Sequence, residues 1–221
     1  RIMEANSNTI LVVQSSFPYA INWSQQHVPA ILHMAHNGQA TGTALADVLF
    51  GDYNPGGKLT QTWPKSQEQL PGMMEYDIRE GHTYMYFRGE PLYPFGHGLS
   101  YTSFDWENIS VSDNQVDPKD EEVEITVRLR NTGNVKGDEV IQLYASFPDT
   151  DVRRPEKALK GFQRVTLEPG EVMDVNIPVK LADLAYWDTE QERFVIEPGT
   201  VEIKAGSSSA DIHLTESFAI D

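Results

Sequence analysis

The hydrophobic period of this chain changes once, near Tyr101, and that change limits the chain to two different kinds of structure. Before it, apolar residues come in short unbroken runs. Residues 9–15 read TILVVQS and residues 29–35 read PAILHMA. Runs of this length, rich in β-branched residues, suit strands covered on both faces. After it, apolar and polar residues alternate. Val123, Ile125, Val127 and Leu129 interleave with Glu124, Thr126, Arg128 and Arg130, as in a strand with one face on a core and the other in water.

The first region reads as the end of an α/β domain. Residues 1–5 look like the last turn of a helix. A helical turn is expected near residues 23–27, between the two apolar runs. A helix is expected over residues 43–50, with Ala44, Leu45, Val48 and Leu49 on one face and Gly51 as its stop. Two strands of the doubly covered kind need neighbours and helices on both sides. Residues 1–65 are therefore expected to be the C-terminal part of a larger α/β sandwich domain. Residues 66–103 form an aromatic-rich connector, and residues 104–221 an all-β sandwich of the fibronectin type III-like, immunoglobulin-like kind. The sandwich rests on about seven short strands separated by turn sequences such as NTGN, EPGE and EPGT. Within the connector, residues 83–104 carry seven aromatic side chains broken by Gly89, Pro91, Pro94, Gly96 and Gly98. A disordered linker is polar and poor in aromatics, so this segment must be packed against something.

Charge narrows the function. The chain carries 33 acidic and 17 basic residues, a formal net charge of −16, which repels phosphate backbones and excludes nucleic acid as a natural partner. A neutral ligand such as a sugar is compatible with it. No apolar run approaches the ~20 residues of a membrane-spanning helix. With no cysteine there is neither a disulfide nor thiol chemistry. Glu75, Asp77 and Glu80, near Arg79 and His82, could act as acid and base, but read more simply as solvated charges on an extended segment. His33 and His36 stand three apart; on a strand they face opposite sides and do not readily share a metal. No metal or organic cofactor is expected. DYNPGGKL lacks the spacing of a phosphate loop and reads as a turn. Asn22-Trp23-Ser24 and Asn108-Ile109-Ser110 match the glycosylation sequon. The residues by themselves thus give an α/β tail, an aromatic connector and a β-sandwich, with no catalytic set.

Longer motifs add to this. ALADVLFGDYNPGGKLTQTWP followed by YPFGHGLSYTSF resembles the C-terminal half of glycoside hydrolase family 3. NTILVVQSSFPYAINW, LKGFQRVTLEPGE and FVIEPGTVEIKAGSSS extend the resemblance over nearly the whole chain. The bacterial β-glucosidase/β-xylosidase type is the nearest in pattern. The resemblance implies a retaining, exo-acting β-glycosidase whose barrel carries the nucleophile and whose sandwich domain carries the acid/base. The family's acid/base motif, Glu-x-Glu-Gly-x-Asp-Arg, has no match here, so no catalytic residue is expected in this chain and independent activity is not expected. The implied role is to complete the sandwich domain and brace the barrel. The implied partners are the N-terminal catalytic barrel portion and a β-linked oligosaccharide or glycoside, with a homo-oligomer also compatible. The implied location is periplasmic or extracellular, with a cytoplasmic one also compatible. The connector becomes a rigid link whose aromatics are buried between domains. Phe17 and Gln39 are expected to neighbour the substrate cleft, from loops 15–19 and 37–41 at the strand ends, with His82 and Tyr84 on the same rim. A stand-alone carbohydrate-binding or structural β-sandwich module is the alternative. An exposed planar row of aromatics would favour it.

Overall fold

A computed structural model describes residues 1–221, which form two compact units. The smaller comprises Arg1–Tyr53 and Leu59–Phe95; the larger comprises Asn54–Lys58 and Gly96–Asp221.

The smaller unit opens with one helical turn, α1 (Ile2–Ala5). Two parallel strands follow, β1 (Ile10–Gln14) and β2 (Ala30–Met34), paired from Ile10↔Ala30 to Gln14↔Met34 and joined through α2 (Asn22–His27). Helix α3 (Thr41–Phe50) ends at Gly51, whose φ of 83° is left-handed and whose amide reaches back to the Val48 carbonyl. Coverage differs from the expected doubly buried strands. Ile10 and Val12 remain 48% and 36% exposed, and of the four stripe residues on α3 only Leu45 and Val48 are half-buried. The described chain supplies this pair with no third strand, so its apolar side chains lack a full layer above them. Trp63 and Ser15 are the fully buried side chains of this unit.

In the larger unit the alternating segments form a sandwich. Its strands are β3 (Phe104–Val111), β4 (Gln115–Val116), β5 (Glu122–Asn131), β6 (Gly137–Ser146), β7 (Ala158–Leu167), β8 (Val172–Lys180), β9 (Tyr186–Asp188), β10 (Arg193–Val195), β11 (Gly199–Gly206) and β12 (Ile212–Ile220). One sheet has the order β4-β12-β11-β6-β7, the other β3-β5-β8, and β9 and β10 form a separate hairpin. The inward residues predicted on β5, Val123 to Leu129, are all buried and pack with Ile141, Leu143 and Ile203 of the facing sheet. Asn131 closes the NTGN turn from a fully buried position. Its amide donates to the Val135 and Leu167 carbonyls, and its oxygen accepts from the Gly133 amide and the Thr102 hydroxyl.

The aromatic-rich segment divides between the units. Its first part packs within the smaller one. A single helical turn, α4 (Thr83–Tyr86), sets Tyr84 in a stack on Phe95 at 4.4 Å, and Tyr93 bridges to Trp63. From Gly96 onward it packs within the larger one. A Cβ at Gly98 would run into the Gly57 carbonyl oxygen, and one at Gly56 would lie 2.7 Å from the Asp138 Cβ. Glycine is required where two backbones approach this closely. The NPGGK turn, residues 54–58, is thus a strap on the sandwich. The half-buried Lys58 pairs with the buried Glu139 at 2.7 Å and donates to the Gly98 carbonyl, while Asn54 binds Ser100, the Tyr101 amide and the Lys136 carbonyl.

Candidate functional site

Parallel pairing sends the loops after β1 and β2 away from one edge, the carboxyl edge, where open α/β sheets bind ligands. Phe17 stands on the first loop and Gln39 on the second, so the fold brings these two to the same edge. Phe17 is 71% exposed, yet its backbone is tied down. The buried Ser15 hydroxyl donates to the Phe17 carbonyl at 2.6 Å and accepts from the Phe17 amide at 2.9 Å. The Ser15 amide in turn donates to the Met34 carbonyl at the end of β2. His33 Nε2 lies 3.0 Å from the Ser15 carbonyl, and the His33 ring meets Trp63 edge-on at 5.1 Å. Gln39 lies in the exposed turn leading into α3, closed by the Thr41 amide and hydroxyl on the Gly38 carbonyl.

His82 and Tyr84 occupy a different segment. His82 precedes α4 between two left-handed residues, Gly81 at φ 94° and Thr83 at φ 57°. For threonine that conformation is strained, and such strain collects at functional and tightly packed sites. The half-buried His82 has its Nε2 shielded from solvent without a hydrogen-bond partner. Tyr84 is held by its stack on Phe95. The structure gives both residues a packed setting in the smaller unit.

The carboxylates weighed as an acid–base set are engaged locally. Asp77 forms a two-point contact with Arg79, and Glu75 caps the Asp77 amide; Glu75 and Glu80 are exposed. Of the two sequons, Asn22 uses its amide to reach the Lys65 carbonyl at 2.6 Å, whereas Asn108 is exposed on β3. No helix is long and apolar enough to cross a membrane. Sequence reasoning missed Ser15 as the anchor of the Phe17 loop and Lys58 as the partner of Glu139. A serine two residues before an aromatic at the end of an apolar run was the available signal for the first. The Lys58–Glu139 pair spans distant segments and left no local signal.

Comparison with known proteins gives this arrangement its context. Residues 1–101 match the glycosyl hydrolase family 3 C-terminal domain, and residues 139–209 the fibronectin type III-like domain. The whole chain is 38% identical to part of thermostable beta-glucosidase B of Acetivibrio thermocellus, covering 30% of that protein. Among solved structures, the beta-D-glucoside glucohydrolase of Trichoderma reesei superposes with a TM-score of 0.90 at 33% identity, covering 100% of this chain and 34% of that one. The beta-glucosidase of Kluyveromyces marxianus in complex with glucose does so with a TM-score of 0.89 at 35% identity, covering 100% and 27%. The chain therefore spans about three tenths of these relatives' length. Relatives come from fungi and yeast as well as bacteria, so the bacterial type is not singled out. With both domain models matched in their order along the chain, this protein belongs to glycoside hydrolase family 3, as its C-terminal portion: the end of the α/β sandwich domain and the fibronectin type III-like domain.

Proposed function

We propose that the chain serves a retaining, exo-acting β-glucosidase, completing its sandwich domain and bracing its catalytic barrel. The supporting observation is the end-to-end match to β-glucosidases at 38% identity and below. It favours a β-glucoside over a β-xyloside as substrate. In this reading residues 1–65 complete the sheet, 66–103 connect, and 104–221 brace. Phe17 and Gln39 line the outer part of the cleft, with His82 and Tyr84 as more distant rim residues. The nucleophile and the acid/base, ~5–5.5 Å apart in a retaining enzyme, come from the portion of the enzyme that this chain completes. The first carboxylate attacks the anomeric carbon while the second protonates the departing oxygen. The second then takes a proton from the water that releases the sugar. The reading extends to a periplasmic or extracellular location, where β-linked oligosaccharides released from polymers are met.

A free-standing sugar-binding module is less favoured. Trp187 and Phe194, exposed side by side on the β9–β10 hairpin, meet at 77° and do not form a coplanar platform. The deciding experiment follows the anomer released from an aryl β-glucoside by the full-length enzyme carrying this chain. β-Glucose as first product is expected. Initial release of the α-anomer, or no turnover of β-glucosides, overturns the proposal.

A further inference from the structure

We propose that Phe17 is the residue on which the sugar of the leaving group stacks, and that Ser15 positions it. The inference rests on the reading of the parent as a retaining β-glucosidase and adds to it the source of leaving-group preference. Three observations carry it. First, Phe17 is 71% exposed and stands at the carboxyl edge of a parallel strand pair. A phenyl ring left in water at such an edge is a contact surface for something apolar on one face, as the carbon-bound hydrogens of a pyranose are.

Second, the ring's backbone is fixed before any ligand arrives. Both polar groups of the Phe17 backbone are bound to one hydroxyl, that of Ser15. Ser15 is 3% exposed and is itself held by the Met34 carbonyl and His33. Pro18 follows directly and stiffens the exit from the turn. Ordering a mobile loop on binding would cost free energy that this arrangement has already removed. An aromatic side chain on a rigid base is the form in which binding surfaces concentrate affinity. Third, the chain's charge of −16 disfavours an anionic ligand and leaves a neutral sugar as the fitting class. Gln39, exposed on the adjacent loop of the same edge, supplies an amide suited to sugar hydroxyls.

The test uses the full-length enzyme and two substrates, methyl β-glucoside and a β-linked glucose disaccharide. Only the second has a sugar ring in the leaving group. The readout is the ratio of kcat/KM for the disaccharide to kcat/KM for the methyl glycoside. Phe17→Ala should lower that ratio roughly tenfold, the scale of one lost apolar contact in a pocket. Phe17→Trp should keep it near the parent value. Ser15→Ala should lower it as well, but should add little once Phe17 is alanine, because Ser15 acts through Phe17. A purely structural Ser15 would lower the Tm and leave the ratio unmoved. Should Ser15→Ala fail to fold, the contrast of Phe17→Ala with Phe17→Trp decides the matter. An unchanged ratio in Phe17→Ala, with normal turnover, overturns this inference alone. Turnover of neither substrate by the unaltered enzyme overturns the parent reading with it.

Discussion

His97 is half-buried in the larger unit, and its burial holds its pKa below the ordinary histidine value. The positive charge of Lys58 acts in the same direction, and the Asp211 carboxylate opposes both. The unfolded chain, with a histidine near the ordinary ~6.5, takes up the proton first as the pH falls. The stability His97 contributes is thus fully present above about 6.5 and is lost as the pH drops from there through the folded value. His97→Gln should flatten this part of the pH profile, measured as the urea midpoint at steps from neutral to mildly acidic pH. Identical profiles for the two proteins would show that His97 is not the group responsible. In the sequence, this histidine was one more residue in an aromatic and glycine-rich stretch. The charges that act on it, Lys58 and Asp211, lie far from it along the chain. The same holds for Ser15, whose importance comes from the depth at which β1 ends. By contrast, Gly51 was readable because a helix stop is a local event.

The strap of residues 54–58 is an element without secondary structure, yet it is built into the sandwich. Its central interaction is the Lys58–Glu139 pair, with side chains 12% and 8% exposed. Removing one member of such a pair leaves a buried charge uncompensated and costs about 3–5 kcal/mol. Lys58→Met should therefore destabilise the larger unit by that order. Adding Glu139→Gln should recover part of the loss, which a double-mutant cycle in urea would measure. A loss equal to the sum of the two single changes would mean that the pair is not coupled. From the sequence these residues read only as a turn, because both partners of every strap contact had to be known at once. Strand β5 was clear, since its alternation runs unbroken from Val123 to Leu129. Strand β3 was not, for a specific reason. A register shift between Trp106 and Asn108 puts the inward residues at Phe104, Trp106, Ile109 and Val111, a step of three in the middle of a step of two. In β12, Glu216 occupies a position that the alternation of Leu214 and Phe218 assigns to the core side. The segment therefore lacked a clean pattern.

The two units differ most in how much they bury. In the larger one, both sheets contribute to a continuous core from Trp106 to Ile220. In the smaller one Trp63 is the fully buried apolar side chain, while Ile10, Val12, Leu49, Phe50, Met73 and Met74 lie exposed. A two-stranded sheet with bare faces and unpaired edges has little to oppose local opening. In the sequence this appeared as strands of the doubly covered kind that were too few to cover one another. The covering layers are therefore expected from the barrel-bearing portion of the same enzyme, and the expectation can be measured by hydrogen exchange. In the 221-residue chain alone, the amides of β5, β6 and β11 should be protected to the level of global unfolding. Those of β1 and β2 should exchange far sooner. Adding the separately produced N-terminal portion should slow exchange in β1 and β2 selectively, give a complex that co-elutes, and produce hydrolysis of an aryl β-glucoside that neither piece shows alone. Strands β1 and β2 already protected in the free chain, with no change on mixing, would mean that the smaller unit is self-sufficient. Turnover by the free chain would mean that it carries its own acid and nucleophile. Either result would remove the reason for assigning the exposed face of β1 and β2 to a missing layer.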